Sequence, residues 1–400
     1  MPWTRRQFGQ TLGVSALAAG CFPAGSTGRE KGVRPMFKEI SRAVYLEGLP
    51  KGSAAEDVIR AAQRVAQAAT DFSWLGKGDT VLLKPAGNSK NPYPATTSPL
   101  AVIALTRLLK EKGAGRVILA DKSGVAAVHR TPDHVRGSTR ACFIANGLHQ
   151  AALDAGAEVL YFEEEPFDAY FADTPPAGSH WKEGIWIPSI VQQADHIVLL
   201  PRVSRHVLAG STLGLKMAVG WLRDDSRLEL HRDAASFYEK VAEMHYLPAL
   251  QGRLRLTLSV ATKALASFGP DSGTVAEPET GLVFASESLL AHDFMSLSFL
   301  LWCREHAVSK GALGPLRDPH RTFPGAMNRV FVGGIWGMTE MLHGQTFAPT
   351  AIRTVWDDPV LARAMAIEQI TPLLEPQVLE PTVPPRLQDE LSSHFRRPAA

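Results

Sequence analysis

The fold is decided by a short apolar run, Asp79-Thr-Val-Leu-Leu-Lys84-Pro85. Its β-rich centre, ended by a proline, predicts a buried strand. Ser98 then begins a segment whose apolar residues share one helical face, which predicts a helix capped by that serine. Gly113 ends this helix, and Arg116-Val-Ile-Leu-Ala120 is the next predicted strand. A strand, a helix and a second strand in this order predict two parallel strands.

The same alternation continues along the chain. We predict further strands at residues 158–162, 195–200, 254–260 and 281–285, and helices near residues 143–155, 234–250 and 286–305. This pattern predicts an α/β fold, Rossmann-like, with a parallel or mixed sheet covered by helices on both faces. The α/β domain spans residues 38–370, as one body or as two lobes with a cleft and a boundary near residues 225–255. Residues 371–400 are predicted to be a Pro-rich C-terminal tail.

The composition limits the classes of function. The chain has 400 residues, of which 45% are hydrophobic and 20% are charged, so it can bury a sizeable core. Lys and Arg number 42 against 40 Asp and Glu, and this balance argues against a nucleic-acid partner. The 3 cysteines include no Cys-x-x-Cys pair, so neither an iron–sulfur cluster nor a cysteine-ligated zinc is expected.

The N-terminus has the layout of an export signal. Thr4-Arg5-Arg6-Gln7-Phe8 is followed by an uncharged, mostly apolar stretch, which is typical of a twin-arginine signal peptide, here residues 1–21. An ordinary amphipathic helix is the alternative. The two arginines are the only charges before Cys21, so removal of the signal would leave 40 basic residues against 40 acidic ones.

The end of this segment predicts the fate of the exported chain. Leu17-Ala-Ala-Gly-Cys21 is similar to a lipoprotein processing site, at which Cys21 would become acylated. Cleavage after a small residue, giving a free periplasmic protein, is the alternative. Residues 22–37 would then be a flexible tether. We expect export by the twin-arginine translocase to the periplasm or cell envelope, with membrane attachment through a lipidated Cys21.

Three long loops follow predicted strands, at Pro85–Pro99, Asp121–Arg140 and Arg202–Thr212. Open α/β sheets bind ligands at the carboxyl ends of their strands, so these loops are candidates for a site. At the first loop, Lys84 and Asn88 could hold an anion or a carbonyl group. A structural turn explains the same residues equally well.

The second loop combines a carboxylate, a hydroxyl and a titratable ring. Asp121 and Ser123 lie where a ligand would meet the sheet, and His129 and Arg130 pair an imidazole with a fixed cation. A surface loop with a solvated histidine is the alternative.

The third loop contains His206 and Gly210 and leads to Gly214 and Lys216, with His231 beyond. The spacing of the glycines and the lysine differs from that of a P-loop, so a nucleoside triphosphatase is not expected. A buried lysine with a lowered pKa is a nucleophile, and imidazoles transfer protons or bind metals. These residues could therefore converge on a site. Alternatively, the lysine neutralises a carboxylate and the last histidine lies at the surface.

Outside these loops, the sequence offers one further candidate residue and no common catalytic motif. Asp293 lies within an apolar predicted helix and needs a buried partner. The chain contains no Gly-x-Ser-x-Gly, His-Glu-x-x-His or Gly-x-Gly-x-x-Gly motif, so hydrolase, zincin and dinucleotide-binding functions lack support.

Several segments together resemble the family called domain of unknown function 362. They are Gly78-Asp79-Thr-Val-Leu-Leu-Lys84-Pro, Ala95-Thr-Thr-Ser-Pro99, Asp121-Lys-Ser-Gly124, Ala194-Asp195-His-Ile-Val-Leu-Leu-Pro201, Leu215-Lys216, Gly269-Pro-Asp-Ser-Gly273 and Gly281-Leu-Val-Phe-Ala-Ser286. The resemblance covers about residues 38–305. Members that carry ferredoxin modules have cysteine runs, which this chain lacks.

A more distant resemblance is to lactate racemase, which works with a nickel-pincer nucleotide. It rests on His129-Arg130, on His206-Val-Leu-Ala-Gly210 followed by Lys216, and on His231. It implies that His129 and His206 are paired acid and base residues, that Lys216 tethers the cofactor and that His231 ligates its metal. Val128 stands where that family has Thr, and the glycines before the lysine are sparser.

The sequence thus predicts an exported, lipid-anchored enzyme that depends on a cofactor or metal. It would act on a small anionic substrate by proton-transfer or redox chemistry of His and Lys side chains. A non-catalytic solute- or metal-binding protein and an accessory subunit with a redox partner protein are the alternatives. The predicted site comprises the catalytic residues His129, His206 and Lys216, the metal ligand His231, and the cofactor-binding residues Lys84, Asn88, Asp121, Ser123, Arg130, Gly210 and Gly214.

Overall fold

A computed structural model describes residues 43–175, 177–267, 269, 271, 273–308, 327–346, 352–370, 374–380 and 382–395. The predicted signal peptide, Cys21 and the predicted tether lie outside the described residues.

The described residues alternate between strands and helices. The strands are β1 Ala43–Pro50, β2 Thr80–Pro85, β3 Arg116–Asp121, β4 His129–Arg130, β5 Val135–Arg136, β6 Glu158–Tyr161, β7 Tyr170–Asp173, β8 Ile185–Pro188, β9 His196–Leu200, β10 Ser204–His206, β11 Gly210–Thr212, β12 Leu254–Ala261, β13 Ala264–Leu265, β14 Val275–Ala276, β15 Thr280–Ser286 and β16 Glu375–Val378. The α-helices are α1 Ala55–Ala69, α2 Pro99–Glu111, α3 Thr139–Asn146, α4 Leu148–Ala155, α5 Ile190–Gln193, α6 Asp224–Arg232, α7 Phe237–Glu243, α8 Pro248–Gln251, α9 Leu289–His306, α10 Met327–Trp336, α11 Met338–His343, α12 Pro359–Glu368 and α13 Pro385–Ser393. Short 3₁₀-helices are Leu215–Trp221, Ala234–Ser236, Met244–Tyr246 and Val355–Asp357.

The central sheet has 8 strands in the order β16-β1-β15-β12-β9-β2-β3-β6. The pairs β3–β6, β2–β3, β2–β9 and β9–β12 are parallel, whereas β15 runs antiparallel to both of its neighbours. The strand–helix–strand unit predicted from Asp79–Ala120 is confirmed, because β2 and β3 are parallel neighbours joined through α2. The sheet is mixed, as one form of the sequence prediction allows.

Helices cover both faces of this sheet, which confirms the predicted α/β class. Val81 and Leu83 of β2 pack in one core with α1, α2 and α4, and Leu82 packs in a second core that contains α7 and α9. Alternation along β2 directs Lys84 to the second face, where its Nζ lies 5.4 Å from the centroid of the Trp221 ring.

Two of the predicted helices are interrupted. The helix predicted near residues 143–155 divides into α3 and α4 at Gly147, whose φ of 85° suits glycine. The helix predicted near residues 234–250 is a chain of short α and 3₁₀ segments that ends before Pro248, because a proline cannot continue the hydrogen bonding of a preceding helix. Ser98 occupies the N-cap of α2 without a side-chain capping hydrogen bond.

The C-terminal segment differs from the predicted tail, because it belongs to the fold. Strand β16 pairs in parallel with β1 at the edge of the sheet. Leu387 and Leu391 of α13 are buried against the second core, and Ser298 Oγ donates a 2.9 Å hydrogen bond to the Leu391 carbonyl. The Pro-rich composition concealed one apolar helical face, made of leucines four residues apart.

The two-lobe alternative is not supported by the strand pairing. Strand β12, which follows the boundary considered near residues 225–255, pairs with β9, which precedes it. The described residues on either side of that boundary therefore share one sheet. Cys142 and Cys303 are free thiols. None of the helices in the described ranges combines the length and apolar character of a membrane span.

Candidate functional site

A cavity of about 420 Å³ lies at the carboxyl ends of β2, β3 and β9. Its volume falls in the range typical of small-molecule sites. The loops predicted to form a site contribute to its walls, together with the 3₁₀-helix Leu215–Trp221, α6 and α10. Its polar lining residues include Lys84, Asn88, Asp121, Lys122, Arg202, His206, Lys216, Arg227, His231, Asp271 and Asn328.

The floor of the cavity is a buried ion pair between neighbouring strands. Lys84 Nζ lies 2.7 Å from Asp121 Oδ1, and the same carboxylate accepts a 2.9 Å hydrogen bond from the Gly87 N–H. Burial lowers the pKa of Lys84, and the Asp121 charge opposes that shift. The peptide at Gly220 passes over this pair, because a Cβ there would overlap Lys84 Nζ and Asp121 Oδ1.

A second ion pair connects the cavity to His129. Lys122 Nζ contacts Asp224 Oδ2, and Asp224 Oδ1 lies 3.1 Å from His129 Nδ1. Burial is the largest effect on Lys122 and lowers its pKa, whereas Asp224 opposes the shift. His129 itself does not line the cavity, and its ring packs edge-on against Trp336 with centroids 6.0 Å apart.

Lys216 reaches the cavity from the first turn of the 3₁₀-helix. Asp293 holds the start of that helix, because its two carboxylate oxygens accept hydrogen bonds of 2.7 and 2.6 Å from the Gly214 and Leu215 N–H groups. The buried partner predicted for Asp293 is therefore this pair of backbone amides. Burial lowers the pKa of Lys216 to about 7, and the charge of Arg202 contributes to the same shift.

Two arginines add positive charge to the walls. Arg227 donates hydrogen bonds to the carbonyls of Ser123, Lys122 and Gly220, at 2.8, 3.2 and 3.3 Å. Arg202 is 1% exposed, and within the described residues its Nε and Nη1 atoms have no hydrogen-bond partner. Burial lowers the pKa of Arg202 to about 10, with Asp271 opposing the shift.

The two histidines of the cavity have defined roles in hydrogen bonding. His231 Nδ1 lies 2.8 Å from the Arg227 carbonyl, so Nδ1 carries the proton and Nε2 keeps a lone pair. Burial lowers the pKa of His231 to about 4, which keeps the ring neutral near pH 7. His206 Nδ1 accepts hydrogen bonds of 3.1 Å from two backbone N–H groups, which places the proton of the neutral ring on Nε2.

The structure brings six of the predicted site residues to one cavity. They are Lys84, Asn88, Asp121, His206, Lys216 and His231. The other five lie outside its lining: Ser123, His129, Arg130, Gly210 and Gly214.

These five residues contribute to the local structure. Ser123 Oγ donates to the Gly87 carbonyl at 2.6 Å, and Arg130 Nη1 donates to the Phe162 carbonyl at 3.2 Å. Gly210 turns between β10 and β11, and Gly214 allows the close approach of Asp293. Of the predicted acid and base pair, His206 lines the cavity and His129 does not; His129 is connected to the lining residue Lys122 through Asp224.

Sequence reasoning missed several residues of the site. Lys122 and Arg202 lie in two of the loops predicted to form a site, but nothing in the local sequence indicates that these two cations are buried. Arg227 and Asp224 come from α6, which has no recognisable motif. Asp271 belongs to the sequence segment Gly269-Pro-Asp-Ser-Gly273, and its carboxylate accepts a hydrogen bond from Asn88 Nδ2.

Comparison with known proteins identifies the family. A family model described as domain of unknown function DUF362 matches residues 81–298, which is more than half of the chain. The chain belongs to the DUF362 family. The matched segment contains all of the cavity residues described above except Asn328 and its neighbours in α10.

Two solved structures are similar to this DUF362 chain. The lactate racemase apoprotein from Thermoanaerobacterium thermosaccharolyticum is 17% identical, with a TM-score of 0.39, over 64% of this chain and 56% of that chain. A protein from Thermotoga maritima is 14% identical, with a TM-score of 0.35, over 65% of this chain and 59% of that chain. The similarity thus spans less than two thirds of either structure. No curated protein matches the sequence.

The side-chain donor atoms of the cavity limit which metal ions and cofactors it could bind. Within the described ranges, no three His, Cys, Asp or Glu side chains are grouped as ligands for one metal ion. His231 offers one unprotonated imidazole nitrogen, so a metal bound there would take its remaining ligands from an organic group or water. Lys216 offers an amine of lowered pKa, which can form a covalent bond to a cofactor.

Proposed function

We propose that this DUF362 protein is a cofactor-dependent enzyme that uses acid–base chemistry on a small anionic substrate. The observation that carries the proposal is the position of Lys216, whose pKa of about 7 places its titration near neutral pH, in a cavity with an excess of cations. Perturbed lysines in clefts of this kind are characteristic of catalytic sites.

The side chains of the cavity supply two kinds of chemistry. Near pH 7, Lys216 exists both as an amine and as an ammonium, so it can accept a proton from a substrate or donate one. His206 lines the same cavity, and the proton of its neutral ring is on Nε2. Lys84 and Lys122 are held in ion pairs by Asp121 and Asp224, and burial also lowers the pKa of Lys122 to about 7.

The residues present fit a nucleotide cofactor that carries its own metal. His231 Nε2 would ligate its metal, as the resemblance to lactate racemase implies, while Lys216 would keep a free amine beside the cofactor for proton transfer. A nickel-pincer nucleotide bound there would supply hydride transfer. The protein residues would bind and orient the substrate and move its hydroxyl proton.

Solvent isotope exchange tests this function without knowledge of the substrate. Protein purified from its own host is incubated in D₂O with the acidic small-molecule fraction of that host. We expect one compound to change in structure or to gain deuterium, and Lys216→Ala or His231→Ala to abolish the change while circular dichroism stays native. The exposed Lys51→Ala is the matched control.

Two outcomes would contradict the proposal. Turnover that survives both substitutions would remove Lys216 and His231 from the chemistry. A ligand retained in stoichiometric amount without turnover would instead identify a binding protein.

We further propose that the chain is exported and anchored in the cell envelope through acylated Cys21. The twin-arginine pattern at Arg5 and Arg6 and the segment before Cys21 support this proposal. Replacing both arginines by lysine should retain the protein in the cytoplasm. Cys21→Ser should move it from the membrane to the soluble periplasmic fraction. A membrane fraction unchanged by Cys21→Ser would contradict the anchor.

A further inference from the structure

The buried guanidinium of Arg202 has two nitrogen atoms without a hydrogen-bond acceptor among the described residues. The side chain follows β9, lines the cavity and is 1% exposed, yet its Nε and Nη1 lack a partner within the described ranges. Burying an ionised group without a partner is strongly unfavourable, because the group loses its hydration and gains nothing in return. A guanidinium in this position therefore calls for acceptors from a bound molecule or from water.

The charge balance of the cavity indicates the sign of that molecule. Lys84 is paired with Asp121, and Lys122 with Asp224. The charges left on the walls are Arg202, Arg227 and Lys216 against Asp271. The side chain of Asp271 is engaged by Asn88, and its backbone carbonyl accepts from Asn91 Nδ2 at 2.6 Å. The cavity thus has an excess of positive charge, which favours an anion of one or two charges.

We propose that Arg202 binds a carboxylate or phosphate group of the ligand, and that the bound oxyanion controls the protonation of Lys216. A planar guanidinium matches the two oxygens of either group in a bidentate hydrogen-bonded pair. The inference rests on the proposed function for its biological meaning, but anion binding can be measured separately from turnover.

The coupling follows from the charges around Lys216. Arg202 is the first charged group to act on this lysine after burial, and it lowers the pKa. An oxyanion paired with Arg202 would offset that charge and add a negative neighbour, so Lys216 would take up a proton from solvent. Substrate binding would thereby convert Lys216 from an amine to an ammonium, the form that donates a proton.

Trace acetylation of the full-length protein measures this coupling. Acetic anhydride reacts with the free amine, and mass spectrometry reports the labelling of Lys216 against exposed Lys51 at each pH. We expect a labelling midpoint near pH 7 for Lys216, and an upward shift of one unit or more in saturating oxalate or inorganic phosphate relative to chloride at equal ionic strength. The larger of the two shifts identifies the carboxylate or the phosphate as the preferred group.

Arg202 variants assign the effect to this residue. Arg202→Met should raise the midpoint without added anion and abolish the response to oxalate and phosphate. Arg202→Lys, which keeps the charge but not the bidentate geometry, should retain a response that needs at least tenfold more anion. If Arg202→Met fails to fold by circular dichroism, Arg202→Lys provides the test.

The possible failures are distinguishable. A wild-type midpoint near 10 would overturn the chemistry proposed for Lys216. A midpoint near 7 with no oxyanion response, or with a response that persists unchanged in the Arg202 variants, would overturn the present inference and leave that chemistry intact.

Discussion

At the scale of single residues, the chemistry of the cavity depends on how far burial desolvates each charged group and on whether an opposite charge lies beside it. Lys84 and Lys122 are both buried, but each has a carboxylate at contact distance. Burial lowers the pKa of both Lys122 and Lys216 to about 7, but among the described residues Lys216 has no such carboxylate beside it. Two of these lysines are thus fixed in ion pairs, and the third is the one to which we assign a chemical role.

Gly220 is the residue at which the packing over the Lys84–Asp121 pair can be tested. We expect Gly220→Ala to lower the free energy of unfolding by about 1–3 kcal/mol, because the added methyl group overlaps both charged atoms. Urea unfolding followed by circular dichroism measures the change. Gly334→Ala is the matched control, since a Cβ at this exposed helical position meets no atom and should stabilise the helix by about 0.5–1 kcal/mol. Equal effects of the two substitutions would contradict the packing described.

The lowered pKa of His231 predicts that the free energy of unfolding decreases in acid. Its pKa is about 4 in the folded chain and about 6.5 when unfolded, so the unfolded state gains its proton first as the pH falls. The contribution of the neutral ring is complete above pH 6.5 and is lost progressively down to pH 4. The urea midpoint of the wild type should therefore fall between pH 7.5 and 5. His231→Asn, which keeps the donor to the Arg227 carbonyl, should fall less, and an equal fall in both proteins would contradict the assignment.

At the scale of elements, one buried network positions the 3₁₀-helix that carries Lys216. His292 Nδ1 lies 3.0 Å from Asp293 Oδ1, and His292 Nε2 lies 3.1 Å from Ser259 Oγ. Ser259 Oγ in turn donates to the Pro201 carbonyl at 3.3 Å. The network therefore joins the start of the 3₁₀-helix to the end of β9, next to Arg202.

Asp293→Asn tests this connection. An amide can accept from one backbone N–H but presents its own N–H₂ to the other, so we expect a loss of about 1–3 kcal/mol in unfolding free energy. The acetylation midpoint of Lys216 should also move, because the lysine is no longer held in its desolvated position. Asp389→Asn, at an exposed position of α13, should change neither quantity. An unchanged Lys216 midpoint in Asp293→Asn would show that the network does not position the lysine.

The sequence predicted the elements whose signals are local. Apolar runs ended by Pro85 and Pro201 marked β2 and β9, because buried parallel strands need little more than a short hydrophobic segment. The interrupted helices after Asp233 could not be predicted in this way. Their boundaries depend on buried ion pairs such as that of Lys240 with Glu229, whose partners are brought together by the tertiary fold.

At the scale of the whole molecule, the C-terminal segment completes the second core. Leu391 is 2% exposed and packs in α13 against α9. We expect Leu391→Ala to reduce the free energy of unfolding by about 2–4 kcal/mol through lost burial and a cavity. Asp389→Ala, on the exposed face of the same helix, should stay within about 0.5 kcal/mol of the wild type. Equal stabilities of the two variants in urea would favour the dispensable tail that the composition suggested.

Topology explains how much of the site could be predicted from the sequence. The parallel strands place their carboxyl ends along one edge, which is why the sequence alone predicts that residues at or beyond the ends of β2, β3 and β9, such as Lys84, Asp121 and His206, lie near one another. Arg202, Lys122 and α6 could not be chosen, because burial of a cation is a property of the assembled walls and not of the local sequence. For the same reason, the sequence predicts that Asp293 needs a buried partner but does not identify the Gly214 and Leu215 N–H groups as that partner.

Mass measurement of protein purified from its own host tests the central claim most directly. Spectra of wild type and Lys216→Ala are recorded under native and denaturing conditions, and any lipid on Cys21 adds equally to both proteins. The account predicts that the wild type carries a small molecule that is released on denaturation, and that Lys216→Ala carries little or none. Identical masses for the two proteins, after allowance for the substitution, would contradict it.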